Sequence, residues 1–193
     1  SVAPSAATRR SVAPLSPRSL QARARELEDE GRFEEAAALH LELVSDASQA
    51  AADRVQAALS AAETFALASD PRSSLKALDA LPKQLNTVEV ATKRIEVLRL
   101  LGDSFGVVVA IDQLIALGDL SDEKTAKLLV DAARAAAAAG DEQGALVRAR
   151  RAARLAPLMP VAVLECAQLE YAARGMGTPR DAAAQLETLH AIE

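Results

Sequence analysis

The stretch Leu128–Pro157, LLVDAARAAAAAGDEQGALVRARRAARLAP, decides the fold. It reads as two helices with a stop between them. Ala132, Ala133, Ala136 and Ala137 put small side chains on one face of the first, where another helix can come close. Gly140 follows, and glycine accepts the left-handed conformation in which helices commonly end. Asp141 and Glu142 then supply a capping side chain and a first-turn carboxylate, both favoured by the partial positive charge at a helix N-terminus. Ala145, Leu146, Ala149, Ala152 and Ala153 share one side of the second helix, and Pro157, which has no N–H to donate, ends it.

The pattern recurs. Leu20, Ala24, Leu27, Gly31 and Ala36 repeat its spacing, and so do Ala91, Ile95, Leu98, Gly102 and Val107. A weaker copy is Ala58, Ala62, Phe65, Ser69 and Ser74, with Ser69 at the turn. The last is Leu164, Tyr171 and Gly175, with Gln168 where a small residue belongs. The turn positions 31, 69, 102, 140 and 175 are spaced by 38, 33, 38 and 35 residues. This series resembles the tetratricopeptide repeat, a helical hairpin of about 34 residues marked by large, small, large, glycine, two alanine and closing proline positions. Leu129, Ala133, Gly140, Ala145, Ala152 and Pro157 sit at that spacing, Ala136 stands where a larger residue is usual, and GRFEEAAAL (Gly31–Leu39) matches across the turn. The resemblance implies an all-α solenoid of about five antiparallel hairpins over residues 17–193, coiled as a right-handed superhelix. It further implies a protein-interaction scaffold or adaptor with a peptide or protein partner in its groove; an enzyme is not expected, because the sequence offers no catalytic cluster.

Composition agrees with a helical stack. Of 193 residues half are apolar, yet 2% are aromatic and none is Trp. A core so rich in alanine depends on close helix approach, with stability spread along the stack. The one β-branched run, Val107–Val109, lies inside a helical period. Net charge is −5, which argues against a general nucleic-acid binder. The single Cys166 excludes an internal disulfide and suits a reducing, cytoplasmic setting. The alanine and arginine usage points to a bacterial protein working in a larger assembly. No apolar run approaches the ~18 charge-free residues of a membrane span.

Residues 1–16, SVAPSAATRRSVAPLS, lack helical period and contain SVAP twice; they read as a flexible arm or linker, or as a short motif for a partner. From Pro17 onward ten helices are expected, at about 17–30, 33–45, 50–68, 70–81, 87–101, 104–117, 121–139, 142–156, 160–174 and 178–190. Pro82 cuts the fourth short.

Chemistry-bearing residues are few. His40 and His190 have no partner histidine at metal spacing and read as surface or packing residues. Cys166 lacks an activating neighbour in sequence and reads as packing. The acidic run Glu26, Glu28, Asp29, Glu30 reads as a solvated helix end. No cofactor is implied.

Two surfaces remain. By the resemblance, the inner face would carry Gln21, Arg25, Glu28, Glu63, Thr92, Glu96, Arg99 and Arg134, with Glu165 or Gln168 in the last copy. That is a groove of mixed charge. The second surface is Arg148, Arg150, Arg151 and Arg154, four like charges in two helical turns. Either they pair with acids on adjacent helices, or they bind an acidic partner, nucleic acid or anionic lipid, since guanidinium groups suit carboxylate and phosphate.

Overall fold

The computed structural model describes residues 16–118 and 120–173, and every described element is helical. The helices are α1 Pro17–Asp29, α2 Phe33–Ser45, α3 Ala51–Leu67, α4 Pro71–Asp79, α5 Val88–Leu100, α6 Ser104–Ala116, α7 Asp122–Ala138, α8 Glu142–Leu155 and α9 Pro160–Ala173. Each packs on the described helices before and after it, and α3 also touches α5 as α7 touches α9. That succession is a solenoid of four hairpins followed by a ninth helix. The tenth helix, Gly175 and His190 lie outside the described residues, as does residues 1–15 of the expected arm. Ser16 belongs to the folded part: its hydroxyl accepts from the Ser19 N–H at 3.2 Å and caps α1.

The hairpin turns are built alike. Gly31, Ser69, Gly102 and Gly140 have φ of 74°, 60°, 69° and 82°. At each, the following residue donates its N–H back five residues, as in Asp70 to Phe65 at 2.9 Å and Asp141 to Ala136 at 2.9 Å. The left-handed residue itself donates back three, so two orphan carbonyls at the end of each helix are satisfied. The next residue then starts the second helix. Asp70, Asp103 and Asp141 accept the N–H of the third helical residue at 3.1, 2.8 and 2.9 Å. One tight turn thus closes one helix and caps the next.

The small positions lie where helices cross. Ala24, Ala36, Ala58, Ala62, Ala133, Ala145 and Ala152 are fully buried. Ser74, in the weaker copy, is buried too, and its hydroxyl is satisfied by donating to the Ala62 carbonyl at 2.7 Å. Ala136 fills its large-residue slot at 1% exposure, with Val108 and Ala145 beside it. Two details depart from expectation. A 3-10 turn at Lys83–Leu85, after Pro82, takes up the long spacing before α5. In α9 the buried residues are Ala162 and Glu165, while Leu164 is 40% exposed, so the face of this helix is set differently from the pattern Leu164, Gln168, Tyr171.

Candidate interaction surface

The odd-numbered helices carry the expected groove residues, and bonds between neighbouring helices tie them into a line. Thr64 Oγ1 on α3 donates to Glu28 Oε1 on α1 at 2.8 Å, and His40 Nε2 on α2 lies 3.1 Å from the same oxygen. Lys93 Nζ on α5 reaches Glu63 on α3 at 3.3 Å and Glu96 on its own helix at 3.0 Å. Arg99 on α5 donates to Asp131 on α7 at 2.8 Å, and Arg134 on α7 to Glu165 on α9 at 2.7 Å. Successive first helices run side by side, so long side chains one repeat apart meet.

This changes the reading of individual residues. Glu28 is not part of a solvated acidic end; it joins α1, α2 and α3 through one carboxylate. Its neighbours in that run are paired too, Glu26 with Arg23 at 2.8 Å and Glu30 with Arg32 at 3.0 Å. His40 is buried at 7% exposure and is a packing residue with a polar partner. Of the two choices in the last copy, Glu165 is the one that joins this line of bonds, 9% exposed and bonded to Arg134. Gln21 and Arg25 are exposed on α1 and make no side-chain bond among the described residues. Thr92 is exposed, its hydroxyl donating to the Val88 carbonyl at 2.8 Å. Sequence reasoning missed Lys93, Asp131 and Thr64. The signal was there in part: Arg99 and Asp131 are opposite charges 32 residues apart, close to one repeat.

Two hollows open between these helices. One, of about 310 Å³, lies between α3 and α5 and is lined by Glu63, Glu89, Thr92, Lys93 and Glu96 over the apolar Leu59 and Val88. The other, of about 380 Å³, lies between α5, α6 and α7 and is lined by Arg99, Asp103, Asp131 and Arg134. In the first, the Glu96 hydrogen bond raises the Lys93 pKa, with Glu63 adding to it and partial burial opposing it.

Against solved structures the chain superposes along most of its length. It matches a Podosopora anserina putative kinesin light chain with nearly identical TPR-like repeats at TM-score 0.57 and 18% identity, covering 93% of this chain and 97% of that one. The fold is tetratricopeptide-like. The MamA protein matches at TM-score 0.57 and 14% identity, covering 89% of this chain and 88% of that one. No family model matches the sequence. No curated protein matches it either.

On the other side of this tetratricopeptide-like stack, α8 carries the four arginines. Arg148 donates to Asp112 on α6 at 2.6 Å, and Arg150 to Glu170 on α9 at 2.8 Å. Arg151 and Arg154 bond to no acid among the described residues. Half of the basic patch is therefore spent on joining helices. Arg148 and Arg151 line a hollow of about 490 Å³ with Asp112 and Val147. Burial first, then Glu170, raises the Cys166 thiol pKa, with Arg150 and Arg154 opposing; a thiol held protonated is a poor nucleophile. Among the described residues no three His, Cys, Asp or Glu side chains converge as a metal site. No described helix is long and apolar enough to cross a membrane.

Proposed function

We propose that the chain is a protein-interaction scaffold that holds a peptide or protein segment along its inner face, as one part of a larger assembly. The observation that carries this reading is the pair of hollows, one between α3 and α5 and one between α5, α6 and α7, both edged by both signs of charge. An extended or helical segment with its own charge pattern complements such a face better than a uniform polyanion does. The likeness to TPR-like repeats supports the same reading at the level of fold. Pairing of Arg148 and Arg150 weakens the rival reading, in which the arginine helix binds nucleic acid or an acidic partner.

The test must not disturb the ion pairs. Thr92 bonds only within its own helix and faces the α3–α5 hollow, so Thr92→Arg fills the hollow and leaves the inter-helix bonds in place. In a pull-down from the native host, Thr92→Arg is expected to lose proteins that the wild type captures, and Arg151→Glu to keep them. The opposite pattern, above all with capture that collapses as salt rises, would transfer function to the arginine helix.

A further inference from the structure

We propose that the chain's own segment 1–15 docks across this inner face, with Arg9 and Arg10 over the α3–α5 hollow. The proposal rests on the inner face being a binding surface. That hollow differs from the neighbouring α5–α7 cleft in charge. Glu63, Glu89 and Glu96 face one cation, Lys93, which leaves a surplus of two negative charges. The cations of the neighbouring cleft are already matched, Arg99 by Asp131 and Arg134 by Glu165. Leu59 and Val88 give the hollow apolar walls as well. Segment 1–15, SVAPSAATRRSVAPL, supplies the complement: two adjacent arginines, no acid, and Val12, Pro14 and Leu15 close by. Guanidinium groups bind carboxylates as planar forks while their stems lie on apolar surface.

Reach selects the same hollow. Helices α1, α3, α5 and α7 each end at a left-handed hairpin turn, so Ser16 before α1 and Val88 at the start of α5 lie on the opposite edge of the stack from those turns. Two helix-to-helix steps at ~8–10 Å each separate α1 from α5, about 16–20 Å in all. Arg10 precedes Ser16 by 16 − 10 = 6 residues. An extended chain of that length covers about 20 Å. The α5–α7 cleft is one step further and has no charge surplus. A foreign segment entering the α3–α5 hollow then has to displace this one, which makes the arm a built-in competitor.

The full chain is tested with a spin label at Thr8→Cys in a Cys166→Ala background, reading amide broadening by NMR. Broadening is expected to centre on Val88–Glu96 and on α3 around Glu63, several-fold stronger than along α9. Arg9→Glu with Arg10→Glu should abolish it, and adding Glu89→Arg with Glu96→Arg should restore it. Broadening confined to the start of α1, or unchanged by the charge reversal, overturns the proposal. So does broadening that appears only when spin-labelled chains are mixed with isotope-enriched unlabelled ones, because the occupant is then a second copy. Loss of this contact with partner capture intact sinks the docked arm and leaves the scaffold; capture unaffected by Thr92→Arg, with the arm contact present, does the reverse.

Discussion

Ser69 is the residue where the repeat's turn geometry and its side chain disagree, and replacing it with glycine should stabilise the protein. Its φ is 60°, in the region occupied at the other three hairpin turns by glycine. An L-residue in that conformation costs about 1–2 kcal/mol. Glycine removes that cost but loses more chain entropy on folding, about 0.5–1 kcal/mol. The difference predicts a net gain of about 0.5–1 kcal/mol for Ser69→Gly. Nothing native opposes it. Ser69 is exposed, its hydroxyl bonds to no described residue, and the two closing bonds, Ser69 to Ala66 and Asp70 to Phe65 at 2.9 Å, come from backbone N–H groups that glycine keeps. The reciprocal substitution isolates the backbone effect. A Cβ on Gly140 would meet nothing within 4 Å, so Gly140→Ser should lose about as much as Ser69→Gly gains, with no steric contribution. Urea unfolding followed by circular dichroism reads both. With a slope of about 2 kcal/mol/M, the midpoints should move by about 0.3–0.5 M in opposite directions. A Ser69→Gly variant no more stable than the wild type, beside a Gly140→Ser variant that is destabilised, would show that position 69 is not held left-handed.

Ala133, fully buried in α7, has no room for a larger side chain; Ala133→Leu should cost about 1–3 kcal/mol by urea unfolding. Arg134→Ala strands the Glu165 carboxylate, 11% exposed in its side chain, and should cost about 1–2 kcal/mol, discounted because Arg134 is itself half exposed; Glu165→Leu added to it should recover part of the loss. Hydrogen bonds from Ser73 lower the Asp70 pKa in the folded chain, so its contribution is complete above the ordinary carboxylate value of 3.8 and fades as pH falls below it. Asp70→Asn should therefore flatten the acid limb of stability against pH while leaving the curve above pH ~5 unchanged in slope.

The turns were the most legible part of the chain. All four described hairpin turns have their left-handed residue at the expected position, including Ser69, because the turn needs one local feature that a single residue supplies. The buried small positions were legible for the same reason, since a period along a helix fixes its face. The 3-10 turn at Lys83–Leu85 was not, because Pro82 announces only an ending. Nor was the face of α9, whose valines and leucines fall on several sides, so that burial of Glu165 depends on Arg134 from another helix. The residues expected on the inner face lie on α1, α3, α5 and α7, but the bonds that join them were not foreseen. Thr64, Lys93, Asp131 and Glu165 act on residues a whole repeat away, and helical period carries no information at that distance.

Alanine at the crossings has a consequence for these pairs. A small side chain lets two helices approach closely but gives them little to interlock, so the packing term alone distinguishes poorly between one axial offset of the hairpins and another. A bond such as Arg99 to Asp131, at 2.8 Å, is broken by a shift of one turn, about 5.4 Å. Each exposed pair contributes modestly to stability, yet each is lost when its own junction slips by a turn. Most of the charge on these first helices thus sets how one hairpin sits on the next, while the α3–α5 hollow keeps three acids around one cation.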